Sequence, residues 1–244
     1  ATFCCWLRSL PWDDNQRKRL DKVLRAYAVG HAKTGHTIFW QIDEQGRVRT
    51  GKMMRYLPDG HRDKVTPFSN TWIHSEISRH RMLHYFDPEK QKMKVCLFGL
   101  HLLNAQDVHP TTVNIVESEK SALMASVYGR EDEIWLAVGS ITSMNIHTLN
   151  PIIRQGRNIM LYPDHDGYER WRQKAEEIKK QYPKICVSDY VERAWQPGMK
   201  PTADIADIIL HRLKESPQAR LERMRRENPE IDTLINELGL EPIV

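Results

Sequence analysis

Two apolar runs in the second half of the chain end on carboxylates. TVNIV (residues 112–116) runs into Glu117, and NIMLYP (158–163) runs into Asp164-His165-Asp166. These acids lie 47 residues apart (117 to 164), yet each follows a strand-length run and precedes a helical pattern. In an open α/β sheet, loops converge at the carboxyl ends of the strands and helix N-termini point there, so residues leaving two parallel strands meet on one edge. The Asp-x-Asp spacing turns both aspartates to one side of an extended loop, because side chains alternate with period two. Three carboxylates without paired cations repel one another and require solvent or a metal. Clustered hard oxygens match Mg²⁺ or Mn²⁺, completed by waters and substrate phosphates. The donor set therefore points to metal-assisted phosphoryl chemistry. Taken singly, each acid reads equally well as an ordinary loop residue or helix cap.

The elements that must position these acids are periodic from Thr111 onward. SEKSALMASVYG predicts a helix with a glycine stop, EIWLAVG a second strand, and IHTLNPIIRQGR a helix with another glycine end. After NIMLYP, YERWRQKAEEIKKQY predicts a long amphipathic helix, KICVSDYV a fourth strand, and TADIADIILHRLKE a further helix. Strands alternating with helices at this spacing imply βαβ units and a parallel sheet. The tail, ARLERMRRENPEIDTLINELGL, is charged and helical. Upstream, residues 14–28 predict a helix between Pro11 and Gly30. HTIFWQIDEQGRVRTGKMMRY predicts a β-hairpin turning at Glu44-Gln45-Gly46. LPDGHRDK is a cationic turn, residues 76–93 a long loop or weak helix, and KVCLFGLHLL a short strand entering a helix. The seam falls near NAQDVHPTT, which divides the chain into a basic α+β subdomain (1–110), an α/β domain (111–212) and a charged tail (213–244).

Charge follows the same division. Residues 1–110 hold 18 Lys and Arg against 11 Asp and Glu, a balance of +7, and eight of the eleven histidines; the remainder holds 18 against 21. A basic half beside an acidic half suits a protein that meets a polyanion with one side and holds cations with the other. Hydrophobic residues make up 40% of the chain and charged ones 28%, the balance of a folded globular protein. No apolar stretch approaches the roughly 18 residues of a membrane helix, and the N-terminal residues lack the basic start and small-residue cleavage site of a signal peptide. Cys4, Cys5, Cys96 and Cys186 form neither a Cys-x-x-Cys pair nor a disulfide framework, so free thiols in a reducing cytosol are expected and no zinc site is expected in this chain.

NIVESEKSAL and NIMLYPDHDGYERWRQKA, in this order, resemble the glutamate motif and the Asp-x-Asp-plus-helix motif of the Toprim domain of bacterial DnaG-type primases, topoisomerases and related nucleases. The resemblance implies an α/β fold, a Toprim-like parallel sheet flanked by helices. It also implies that Glu117, Asp164 and Asp166 serve a divalent-metal site that makes or breaks phosphodiesters. Primases carry further acids before a downstream helix, where this chain has Asp204 and Asp207; their spacing is wider than the tight pair common in primases, which leaves a cap role open. Upstream, the hairpin, HRDKVTPFSNTWIHSE and KVCLFGLHLL are similar to the N-terminal part of a primase core. The whole chain looks most like primase-like Toprim proteins found on mobile elements of Bacteroidetes, over about residues 20–210. Within these residues neither the zinc-binding module that precedes a primase core nor a following helicase is matched. The implied function is a Mg²⁺-dependent (or Mn²⁺-dependent) nucleotidyltransferase acting on single-stranded DNA and nucleoside triphosphates, with a replicative helicase as a candidate partner and no membrane. A Toprim nuclease and a non-catalytic nucleic-acid-binding accessory module are the alternatives.

Candidate cations lie in the first half. GRVRTGKM (46–53) nearly spells a phosphate-binding P-loop, but Met53 stands where Ser or Thr must reach Mg²⁺ and the context is a hairpin. Its Arg47, Arg49, Lys52 and Arg55 are candidate template contacts or, equally, a solvated strand face. Arg62 and Lys64 in the following turn are candidate nucleotide-phosphate contacts, and Lys120, on the helix after Glu117, is a further one. Trp40, Trp72, Trp135 and Trp171 fit a core better than base stacking, and of the four Trp72, in a polar segment, is the best candidate for stacking. His165 is expected to point away from its flanking aspartates.

Overall fold

The computed structural model describes residues 1–79, 95–105 and 111–239. Two helices lead: α1 (Thr2–Ser9) and α2 (Asp14–Ala26). A capping box starts α2, in which the Asp13 carboxylate accepts from the Gln16 amide while the Gln16 side chain accepts from the Asp13 amide. An antiparallel sheet follows, in the order β1 (Gly30–His31), β2 (Thr37–Ile42), β3 (Val48–Met54), β4 (Asn70–Trp72), and leads into α3 (Ile73–Arg79). The second half alternates: β5 (Thr112–Val116), α4 (Glu119–Tyr128), β6 (Ile134–Ala137), α5 (Ile146–Arg154), β7 (Asn158–Leu161), α6 (Tyr168–Lys179) and β8 (Ile185–Val187). The chain then continues through α7 (Tyr190–Ala194), α8 (Ile205–Leu213), α9 (Pro217–Glu227) and α10 (Ile231–Leu238). No helix among the described residues is long and apolar enough to cross a membrane.

The second sheet is wholly parallel, in the order β6-β5-β7-β8. Both its faces are covered. Val113, Ile115, Ile134, Leu136, Ile159 and Leu161 pack with α5, α6 and Leu97–Leu103 side chains on one face. Val116, Trp135 and Ala137 pack with α4, α8 and the N-terminal helices on the other. Strands buried on both faces read as continuous apolar runs, and this sheet does so. Helix α4 is apolar almost all round, with Ala122 through Val127 all buried, because it is wedged between this sheet, α2 and α8.

One core runs across the seam near residue 110: Phe3, Trp6, Leu20, Phe39 and Met54 share it with Leu123, Ala206 and Ile209. Tyr27 pins the two halves together, its hydroxyl donating to the Trp135 carbonyl at 2.6 Å and lying 2.7 Å from Ser126 Oγ. Trp6 packs so closely on the turn before Arg62 that a Cβ on Gly60 would meet the indole at 2.0 Å, and Gly60 also holds φ +80°.

Two upstream elements differ from expectation. Helix α1 was not expected, since Ala1 offers no capping side chain and FCCWL is too short to show a helical period. KVCLFGLHLL contains no strand among its described residues: Phe98 makes a single antiparallel bridge to Ala137, and a 3-10 turn follows over Leu100–Asn104. Its buried residues Leu97, Leu100 and Leu103 recur every third position, the period of a 3-10 helix. Residues 80–93 of the expected long loop lie outside the described residues.

Candidate active site

The strand order fixes where a site forms. From β5 the chain crosses to β6 on one side; from β7 it crosses to β8 on the other. The adjacent carboxyl ends of β5 and β7 are therefore a topological switch point, where two loops part and leave a crevice. Glu117 leaves β5 and Asp164 leaves β7 at this position. Sheet-like bonding holds Glu117 in place beyond the strand, with the Gly139 amide donating to its carbonyl at 2.8 Å. Gly139 turns the chain away there at φ +76°.

A second loop is tied to the first. The His165 amide donates to the Ala203 carbonyl at 2.8 Å, which sets Asp204 beside Asp164. Asp204 caps α8, forming a capping box with Asp207. Its other oxygen accepts from Ser121 Oγ at 2.5 Å, and Ser121 is bonded to Ser118, the N-cap of α4. Asp204 and Asp207 thus join the acidic group while also capping a helix. His165 turns outward: Nδ1 is 2.9 Å from Glu192 Oε1, and its ring stacks on Trp195 at 4.7 Å.

Electrostatics reports the convergence. Burial pushes the Asp164 carboxyl up to about 8, and repulsion from Asp204, Glu117, Asp166 and Asp207 adds to it. Burial also raises Glu117, opposed by Arg170, Lys52 and Arg62, with Asp166 pushing the same way as burial. The acids are brought together, and the cations that answer them come from three different elements.

Among the candidate cations the fold discriminates. Lys52 is buried and donates to Glu119 Oε2 at 3.1 Å, with side-chain exposures of 9% and 2%. Glu119, by sequence only a first-turn helix residue, is therefore a buried member of the site's wall. Arg62 lies opposite Tyr56 in an antiparallel bridge and bonds its buried hydroxyl. Arg47 and Arg49 close on Asp43 at the hairpin tip, at 2.8 and 2.6 Å. Arg55 donates to the Thr34 carbonyl at 3.0 Å and pairs with Asp63. Lys120 sits over the Trp6 ring at 5.5 Å. Lys64 is exposed beyond Arg62. Sequence reasoning missed Arg170, Tyr56 and the Lys52–Glu119 pair. Arg170 had a signal, four residues after Asp166 on the following helix; nothing local pointed from Lys52 to Glu119.

Between the two sheets, beside this crevice, lies a cavity of about 440 Å³. Lys52, Arg62, Trp72 and Gln41 line it from the first sheet, Gly139 and Ser140 from the end of β6. Lys52 and Trp72 are register partners on β3 and β4, so they share the inner face of that sheet.

A divalent cation fits the chemistry of this donor set, because Asp164 is surrounded by four other carboxylates. Among the described residues no three His, Cys, Asp or Glu side chains are grouped closely enough to hold a metal ion by themselves. Mg²⁺ is ordinarily held by one or two carboxylates, with waters and substrate phosphates supplying the rest. Glu117, Asp164 and Asp166 are the acids that the sequence offers for it.

A family model, a domain of unknown function termed DUF6371, matches residues 1–165. The chain belongs to the DUF6371 family. The part of this DUF6371 chain that the model matches carries Lys52, Arg62, Glu117, Glu119 and Asp164, and stops one residue before Asp166. Several solved structures are similar at low identity. The primase fragment of the bacteriophage T7 primase-helicase is 14% identical, with 83% of the DUF6371 chain aligned to 70% of that chain and a TM-score of 0.48. A DNA primase domain from Pseudomonas aeruginosa is 13% identical over 98% of this chain and 68% of that one, with a TM-score of 0.45. The E. coli primase catalytic core is 15% identical over 87% and 64%, with a TM-score of 0.43. No curated protein matches the chain.

Proposed function

We propose that this chain is a primase-like nucleotidyltransferase that joins nucleotides on a single-stranded DNA template. The observation that carries the reading is the meeting of Glu117, Asp164 and Asp166 at a topological switch point faced by Lys52, Arg62 and Arg170. A Toprim-like assignment of residues 111–212, with residues 1–110 as the substrate-holding subdomain and 213–244 as a tail, belongs to the same reading.

Bound Mg²⁺ or Mn²⁺ would supply charge neutralisation at the triphosphate and activation of the attacking hydroxyl. The protein's own groups divide the remaining work. Lys52 and Arg62 line the cavity beside the acids and offer counter-charge to a nucleoside triphosphate. Arg170, on α6 and within electrostatic reach of Glu117, would meet the leaving pyrophosphate or the template backbone. Glu117, half-buried and with raised proton affinity, is the group to take the proton of the 3′-hydroxyl as it attacks the α-phosphorus and the bond to pyrophosphate breaks. A helicase partner and residence in the cytoplasm follow from the same reading.

The test is incubation with single-stranded DNA, labelled ribonucleotides and Mg²⁺. New oligonucleotides are expected, and Glu117→Gln should lower their yield at least about a hundredfold, the scale of a lost general base. Shortened template instead would make the chain a nuclease with the same acids, and a mobility shift alone would make it a binding module.

A further inference from the structure

Residues 63–69 leave the Arg62 turn and return to β4, and they hold an aromatic side chain outward at a backbone cost. Phe68 has φ +57°, the left-handed region that a bulky residue rarely adopts. Its side chain gains little burial in return, being 65% exposed. Strain with so little packing needs another explanation.

The loop is anchored on several sides, so its shape is set. The Asp63 carboxylate accepts from the Val65 and Thr66 amides, both at 3.0 Å. The Ser69 carbonyl accepts from the Arg55 amide at 2.8 Å, and the Asp63 amide donates to the Arg55 carbonyl at 3.0 Å. Buried His36 holds the strained residue itself: its Nε2 donates to the Phe68 carbonyl at 2.9 Å. A carbonyl only accepts, so Nε2 carries a proton, and Nδ1 lies 2.8 Å from the Thr34 hydroxyl.

On one face of the Phe68 ring lies the Arg79 guanidinium, 4.3 Å from the centroid and itself paired with Glu76 at 2.7 Å. At 65% exposure much of the ring is left to solvent. Arg55, Arg62, Lys64 and Arg79 surround the loop, and Asp63, its own acid, is already engaged by Arg55 and two backbone amides. The two residues flanking the loop, Arg62 and Asn70, line the cavity beside the acidic crevice. A preset aromatic face with a guanidinium behind it and cations around it is the chemistry that holds an unpaired base and its phosphates.

We propose that Phe68, backed by Arg79, is a stacking platform for one base of a single-stranded nucleic acid on its way to the crevice. This rests on the nucleic-acid reading above, and it assigns a residue that the catalytic reading does not use. Strand binding is measured by fluorescence anisotropy with a labelled mixed-sequence oligonucleotide, without nucleotides or divalent metal. Phe68→Gly is expected to weaken binding about tenfold, the scale of one lost stacked base. The same variant should melt no lower than wild type, because glycine adopts φ +57° freely. Phe68→Trp should keep the affinity, and the duplex of the same sequence should respond to neither change. Equal binding by wild type and Phe68→Gly, or an equal loss on duplex, would overturn the platform. A chain that needs Phe68 for single strands yet makes no product would sink the catalytic reading alone; one that makes product with Phe68→Gly binding unchanged would sink the platform alone.

Discussion

At the tip of the β2–β3 hairpin, Arg47 and Arg49 close on Asp43, four and six residues away. At the other end of β3, Lys52 reaches Glu119, 67 residues further along the chain. At the tip, burial would push the Asp43 carboxyl up, but hydrogen bonds from Arg47, Gln45 and Arg49 outweigh it and hold it below its ordinary value. That group of charges is settled within one turn and serves the hairpin. Lys52 is paired across the seam between the halves, beside carboxylates still in mutual repulsion. Cations of one type on one hairpin thus divide into those that shape a turn and those that face the crevice, and long-range pairing is what separates them.

Removing one member of each pair gives the largest contrast. Lys52→Met leaves Glu119 buried without a partner, and a broken buried pair costs about 3–5 kcal/mol. Arg49→Ala, where Arg47 and two amides remain on Asp43, should cost less than about 1 kcal/mol. Urea unfolding of both variants checks this, and adding Glu119→Gln to Lys52→Met should recover most of the loss. Equal effects at the two ends would erase the distinction.

A smaller effect separates the crevice from the hairpin by pH. The folded-state carboxyl of Asp164 sits near 8, far above its ordinary 3.8, so between those values the folded protein holds a proton that the unfolded chain releases. The stability from that protonated form is whole below about pH 4 and is lost as pH rises through 8. Asp164→Asn, which mimics the protonated form, should therefore melt with wild type near pH 4 and clearly above it at pH 8 without metal. Asp43→Asn should behave oppositely: a depressed carboxyl stabilises above its unfolded value, so this variant loses stability at neutral pH and approaches wild type in acid. Differential scanning fluorimetry across pH reads both signs.

The apolar runs of β5, β6 and β7 were legible because strands buried on both faces read as nearly unbroken apolar stretches, Asn114 interrupting β5, and each ends in Glu, Gly or Pro-Asp. That made Glu117 and Asp164 visible before any coordinates. Asp204 and Asp207 were legible only as an ambiguity, since three-residue spacing suits a capping box as well as a ligand pair, and the fold gives them the cap while placing them against Asp164. Lys52–Glu119 was not legible, because nothing local connects a β-strand lysine to a helix-start glutamate. The 3-10 turn after Phe98 hid in a period of three that resembles neither a strand nor an α-helix.

The most direct test of the central claim is calorimetric titration of Mn²⁺ at pH 7 into wild type and into Glu117→Gln and Asp164→Asn. Wild type should bind with release of a proton, seen as a dependence of the heat on buffer ionisation, because Asp164 must deprotonate to act as a ligand. Mn²⁺ at about 100 times its Kd should then add roughly 2.7 kcal/mol to stability. Both variants should bind far more weakly, and Asp164→Asn should release no proton. Binding of Mn²⁺ by both variants as tightly as by wild type would show that Glu117 and Asp164 do not form the metal site.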